Sequence, residues 1–114
     1  SKLPLPSEYG NAGSFFKNPL VDMAIYNCIR VEFKGIPSHP ATENRVKIPA
    51  AWLIDQAGWK GKRIGNVGTW PLQPLVIVNY GGASGKDILE FSEQIRHDVD
   101  EMFGIHLERE VTVV

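Results

Sequence analysis

The sequence predicts one α+β domain, a two-layer sandwich of helices on a small mixed β-sheet; a strictly parallel α/β arrangement is the main rival. Three observations carry that expectation. Residues 84–104 show a long amphipathic pattern with stop signals at both ends. Residues 75–79 form an apolar, β-branched run bounded by Pro74 and Gly81. The elements alternate as strand, helix, strand, helix, strand, helix, strand, with uneven loops between them. At 114 residues the chain suits one domain and one core.

In chain order, residues 1–13 read as loop because Pro4, Pro6, Gly10 and Gly13 interrupt any regular pattern. Residues 14–16 (Ser-Phe-Phe) read as a strand or extended segment. A helix follows, capped by Asp22, with Ile25, Ile29 and Phe33 at four-residue spacing and Gly35 as its stop. The single cysteine, Cys28, lies beside that stripe and reads as a small core thiol. Residues 36–44 form a polar loop, and 45–48 alternate as a brief strand. Pro49 suits the first turn of a helix over 50–57 that Gly58 ends. Ala51, Ile54 and Leu53 are its core-facing candidates, with Trp52 and Trp59 packing nearby. Residues 58–74 mix glycine, proline and cations, and no regular element accounts for them. The run at 75–79 is expected to be a central strand.

Ser84 caps the longest helix, with Asp87 three residues on in the manner of a capping box. Ile88, Phe91, Ile95, Val99 and Met102 form its apolar stripe, with Leu89 and Phe103 beside it. Gly104 closes the helix, and residues 111–114 read as a terminal strand.

Twelve basic and thirteen acidic side chains give a net charge of −1, too weak a field to draw nucleic acid or an anionic membrane. The longest apolar runs are far shorter than the ~20 residues a membrane helix needs. One cysteine and three scattered histidines argue against an internal disulfide and against a metal site. A reducing, cytoplasmic setting is the expectation. The chain opens on Ser rather than Met, which reads as a processed or excised piece, and no signal-peptide apolar region accounts for that start.

Three segments go beyond a generic globular domain. In residues 10–19 (GNAGSFFKNP) two glycines precede Ser14, allowing close backbone approach to a ligand and exposing the hydroxyl. A simple turn is the plainer alternative, because the Gly-x-Ser-x-Gly elbow pattern is missing. Residues 58–65 (GWKGKRIG) interleave cations with glycine, which can neutralise a phosphate, but the P-loop spacing is missing and a solvated basic loop is the plainer reading. Residues 107–111 (LEREV) alternate charge, placing Glu108 and Glu110 on one side and Arg109 on the other. A solvated strand would look the same.

Taken together and in this order, these segments resemble the C-terminal part of the UDP-N-acetylenolpyruvoylglucosamine reductase family. The opening KLP, GNAGSFFKNP, AAWLIDQAGWKGKRIG and the closing LEREV carry the resemblance over nearly the whole chain. It implies a flavoenzyme of bacterial peptidoglycan synthesis, in which FAD recharged by NADPH reduces UDP-N-acetylglucosamine enolpyruvate to UDP-N-acetylmuramate. Residues 1–114 would be its substrate-binding C-terminal domain, with the FAD-binding domains absent from this chain. By that resemblance Ser14 takes the place of the proton donor. Glu110 takes the place of the catalytic glutamate, which works with an arginine of the absent upstream domain and is expected to act protonated or bridged to a cation. Arg109 is not expected to replace that arginine. Lys2, Asn18, Lys60 and Gln73 fall where the family contacts the UDP portion, with Lys62 and Arg63 as weaker candidates. No residue here is expected to bind FAD or a metal, and the fragment alone is expected to be inactive. A stand-alone small-ligand or interaction module sharing the fold is the alternative from another class.

Overall fold

A computed structural model describes residues 10–110, with side chains from residue 15 onward. Its strands are β1 (Gly10–Ser14), β2 (Leu20–Asp22), β3 (His39–Pro40), β4 (Arg45–Lys47), β5 (Arg63–Ile64), β6 (Val67–Trp70) and β7 (Gln73–Asn79). Its helices are α1 (Met23–Glu32), α2 (Ala50–Gln56) and α3 (Gly85–Phe103). The α+β class is as expected.

The sheet is not the single mixed one the sequence suggested. Among the described residues there are two sheets, ordered β1-β7-β6-β5 and β2-β4-β3, and every pairing is antiparallel. The connections explain this. Gly65-Asn66 joins β5 to β6 and Pro71-Leu72 joins β6 to β7, and two-residue links of this kind join only antiparallel neighbours. Helix α2 runs from one sheet to the other, so it supplies no crossover between parallel neighbours.

Residues 58–74 thus hold a hairpin the sequence reading missed. Its signal was Gly65, at φ 59°, in the first central position of a turn flanked by Ile64 and Val67. Residues 10–13, expected as loop, belong to β1, whose ladder with β7 is irregular between Asn11 and Ser14. That irregularity accommodates the glycines without ending the strand. The loop at 36–44 contains β3. The strand expected over 111–114 lies outside the described residues.

Strand β7 is central, between β1 and β6, and Val76, Ile77 and Val78 are buried in it. Helix α3 packs on β6, and α2 packs on β7 and α3. The α3 caps are as expected. Ser84 Oγ accepts from the Asp87 N–H, Asp87 accepts from the Ser84 N–H, and Gly104 takes the left-handed conformation at φ 69°. Phe91, Ile95, Val99 and Phe103 are its buried stripe. Met102 is exposed, because Phe103 takes the last core position against Phe33 and Trp52.

The expectation for α1 was off by one position. Tyr26 is buried and donates its hydroxyl to the Ile36 carbonyl at 2.9 Å, while Ile25 is exposed. Ile29 and Phe33 fit both registers, and the phenol's hydrogen bond decides between them. Cys28, two residues or about 200° past Tyr26, is therefore exposed rather than in the core. The helix stops at Glu32, before Gly35. In α2, Ala50, Leu53 and Ile54 are buried, Ala51 and Trp52 only partly, and Trp59 is buried against Phe91.

Candidate functional site

Residues 105–110 follow α3 with no helix or strand ladder of their own. Ile105 and Leu107 are buried, and these anchors bring the next residues against the chain leaving β1. Phe16 pairs with Arg109 in an antiparallel bridge, Lys17 donates its N–H to the Glu108 carbonyl at 2.8 Å, and Glu110 donates its N–H to the Phe15 carbonyl at 2.8 Å. Ser14 stands at the end of β1, opposite Val76, one residue before the Phe15 that receives the Glu110 bond. The backbone thus sets Ser14 and Glu110 on neighbouring stretches. The Ser14 side chain lies outside the described residues, as does Lys2.

Glu110 is exposed on a cleft of about 410 Å³ that Phe16, Lys17, Asn18, Lys47 and Leu75 also line. A second cleft of about 450 Å³ shares Lys17 and Asn18 and adds Arg45, His106 and Glu108. Lys17 leans toward Glu108, with Nζ and Oε2 4.0 Å apart in an exposed pair of little energetic weight. Lys47 points away from the core because Val46 and Ile48, its neighbours in alternation, are buried. Its pairing with Leu20 brings β4 beside residues 17–20. The first cleft therefore holds a carboxylate, two ammonium groups and an amide, a polar set suited to an anionic ligand that also accepts hydrogen bonds.

A family profile described as UDP-N-acetylenolpyruvoylglucosamine reductase, C-terminal domain, matches residues 5–114. The chain belongs to that family. The UDP-N-acetylenolpyruvoylglucosamine reductase of Burkholderia multivorans is 49% identical over 110 residues, covering 96% of this chain and 32% of the relative. The reductase of that name from Amoebophilus asiaticus is 50% identical over 113 residues, covering 99% of this chain and 33% of its own. The one from Flavobacterium johnsoniae is 48% identical over 114 residues, with 100% and 34% covered. The chain spans about a third of the length of these relatives.

The domain brings some expected site residues together and leaves others apart. Asn18 lines the cleft, but its Oδ1 already accepts from the Ala50 N–H at 2.9 Å. Pro49 precedes α2 and gives it no side-chain cap, so Asn18 caps that helix from 32 residues away. Gln73 opens β7 and lines neither cleft; its side-chain oxygen accepts from the Leu75 N–H at 3.3 Å, and the β6–β7 ladder shifts register between Gln73 and Ile77. Lys60 is exposed in the turn after α2 and lines neither cleft. Lys62 lies 4.4 Å over the Trp59 ring and Arg63 4.1 Å over the Tyr80 ring, so these weaker candidates stack on the domain's own aromatics.

Lys17 and Lys47 were not among the sequence candidates. Alternation at 45–48 already turned Lys47 outward, but only the pairing of β2 with β4 sets it near Glu110.

Among the described residues one glycine turn leads from a strand to a helix, and its bonds and charge do not favour the family's flavin. Between β7 and α3, Asn79 Oδ1 accepts from the Gly81 and Ala83 N–H groups, and Asp87 accepts from the Ser84 N–H. Three N–H groups of the turn are thus already bonded, and the Asp87 carboxylate in the first turn of α3 opposes an anion there. Among the described residues no group of three or more His, Cys, Asp or Glu could hold a metal ion, and no helix is long and apolar enough to cross a membrane.

Proposed function

We propose that this domain binds UDP-N-acetylglucosamine enolpyruvate and supplies the proton donor for its reduction to UDP-N-acetylmuramate. It acts with FAD-binding domains elsewhere in the same polypeptide, with NADPH as reductant, and the nucleotide-linked substrate sets the reaction in the cytoplasm. The observation that carries this reading is the Glu110 N–H bond to the Phe15 carbonyl, which ties the stretch bearing Glu110 to the residue after Ser14. Two groups at opposite ends of a chain serve one reaction only where the backbone unites them.

The flavin's contribution, when bound, is a hydride for the β-carbon of the enolpyruvyl group. The electron pair left on the α-carbon spreads into the adjacent carboxylate as an enolate. Ser14 gives its hydroxyl proton to the α-carbon, which completes saturation of the double bond, and recovers a proton from solvent. A serine hydroxyl serves as an acid here because the carbanion is far more basic than water-exposed groups. Glu110, bridged to an arginine from the upstream domains, stabilises the enolate together with it. Lys2 and Lys60 neutralise the diphosphate, and Asn18 and Gln73 orient the nucleotide through directional amide bonds.

The test is a full-length reductase containing this domain, followed by NADPH oxidation with the enolpyruvyl substrate. Ser14→Ala is expected to lower turnover by about 10²–10⁴-fold, the range of a positioned general acid. An unchanged turnover overturns the donor assignment. A wild-type protein that oxidises no NADPH favours a stand-alone binding module instead.

A further inference from the structure

Glu110 has no secondary structure of its own to hold it, so its position depends on what fixes residues 105–109. One side chain does this from α3. Arg96 donates its Nε–H to the Leu107 carbonyl at 2.8 Å, and its Nη1 donates to both carboxylate oxygens of Glu93 at 2.7 and 2.9 Å. The guanidinium is planar, so Glu93 sets the plane in which Nε meets the carbonyl. Leu107 is fully buried, which leaves its carbonyl dependent on a protein donor. Three residues on, the Glu110 N–H reaches Phe15. A second polar tie from α3 is the exposed pair of His106 and Asp100 at 3.4 Å, which water weakens.

We propose that Arg96 is a positioning residue for Glu110. It clamps the Leu107 carbonyl to α3 and so sets where the carboxylate stands in the cleft it shares with Lys47 and Asn18. This rests on the proposed role of Glu110. It also explains the geometry: Glu93 and Arg96 lie one turn apart on the most strongly encoded helix of the domain, and that helix lends its rigidity to a segment that has none. Arg96 lines neither cleft, so it acts on them only through the segment it holds.

A double-mutant cycle in the full-length reductase tests this by NADPH oxidation. Arg96→Met keeps the apolar stem and removes every donor. It is expected to lower kcat by about tenfold or more while the substrate KM stays within roughly twofold, as for a displaced catalytic group. Combined with Glu110→Gln, it should add no further loss, because the group it positions is already gone. Arg96→Lys retains charge and a donor head and is expected to fall between wild type and Arg96→Met. Where Arg96→Met fails to fold, the same cycle with Arg96→Lys decides. Losses that multiply in the double variant, or an Arg96→Met enzyme with wild-type kcat, overturn the proposal while leaving the role of Glu110 intact. A Glu110→Gln enzyme of full activity overturns that role, and the positioning proposal with it.

Discussion

Helix α3 and the six residues after Gly104 lie side by side in sequence and are built in opposite ways. The helix contains its own instructions: a reciprocal cap at Ser84 and Asp87, a stripe at Phe91, Ile95 and Val99, and a left-handed glycine at its end. The segment after it contains almost none. Its shape comes from two core sockets, one guanidinium and a bridge to residues near the other end of the chain. The difference teaches that the candidate chemistry rides on the part with least intrinsic structure, while the most self-sufficient element serves as its mount.

Substitutions can break or sharpen that contrast. Leu107→Ala removes the fully buried anchor of the dependent segment. It is expected to cost about 2–5 kcal/mol, read as a lower urea midpoint; a loss below 1 kcal/mol would mean the segment is held without its socket. Asn18→Ala takes away a cap supplied from outside its helix and leaves the N–H of buried Ala50 without that partner. A loss of about 1–3 kcal/mol is expected in the same titration. Ser84→Ala removes a local cap at an exposed position, where water replaces the lost acceptor. About 1 kcal/mol is expected, so the remote cap should outweigh the local one. Cys28→Ser changes an exposed side chain and is expected to shift stability by less than about 0.5 kcal/mol. The wild-type thiol should react with a water-soluble thiol reagent without denaturant, and a protected thiol would contradict the α1 register.

The same contrast explains what could be read in advance. Both ends of α3 and the central strand at 75–79 were legible because capping, period and β-branching are local signals. The α1 register was not, since Ile29 and Phe33 suit two phases and a bond from Tyr26 to Ile36 chooses between them. The antiparallel sheets were hidden because the hairpin at 63–70 consists of very short strands around Gly65. At the site, motif resemblance singled out Glu110 and Asn18, and both line one cleft. It passed over Lys47, whose place depends on strand pairing, and Arg96, whose partner is a backbone carbonyl with no sequence signature.

The bridge between Phe16 and Arg109 joins residues separated by almost the whole chain. Closing so long a loop forfeits the most configurational freedom of any contact described, and it gains few bonds in return. The hairpins and α3 therefore assemble first and this seam seals last. In the native protein the same ordering runs backwards: amide exchange at Lys17 and Glu110 should precede exchange along β7, and each transient opening disengages the Glu110 stretch while the rest of the fold stays shut.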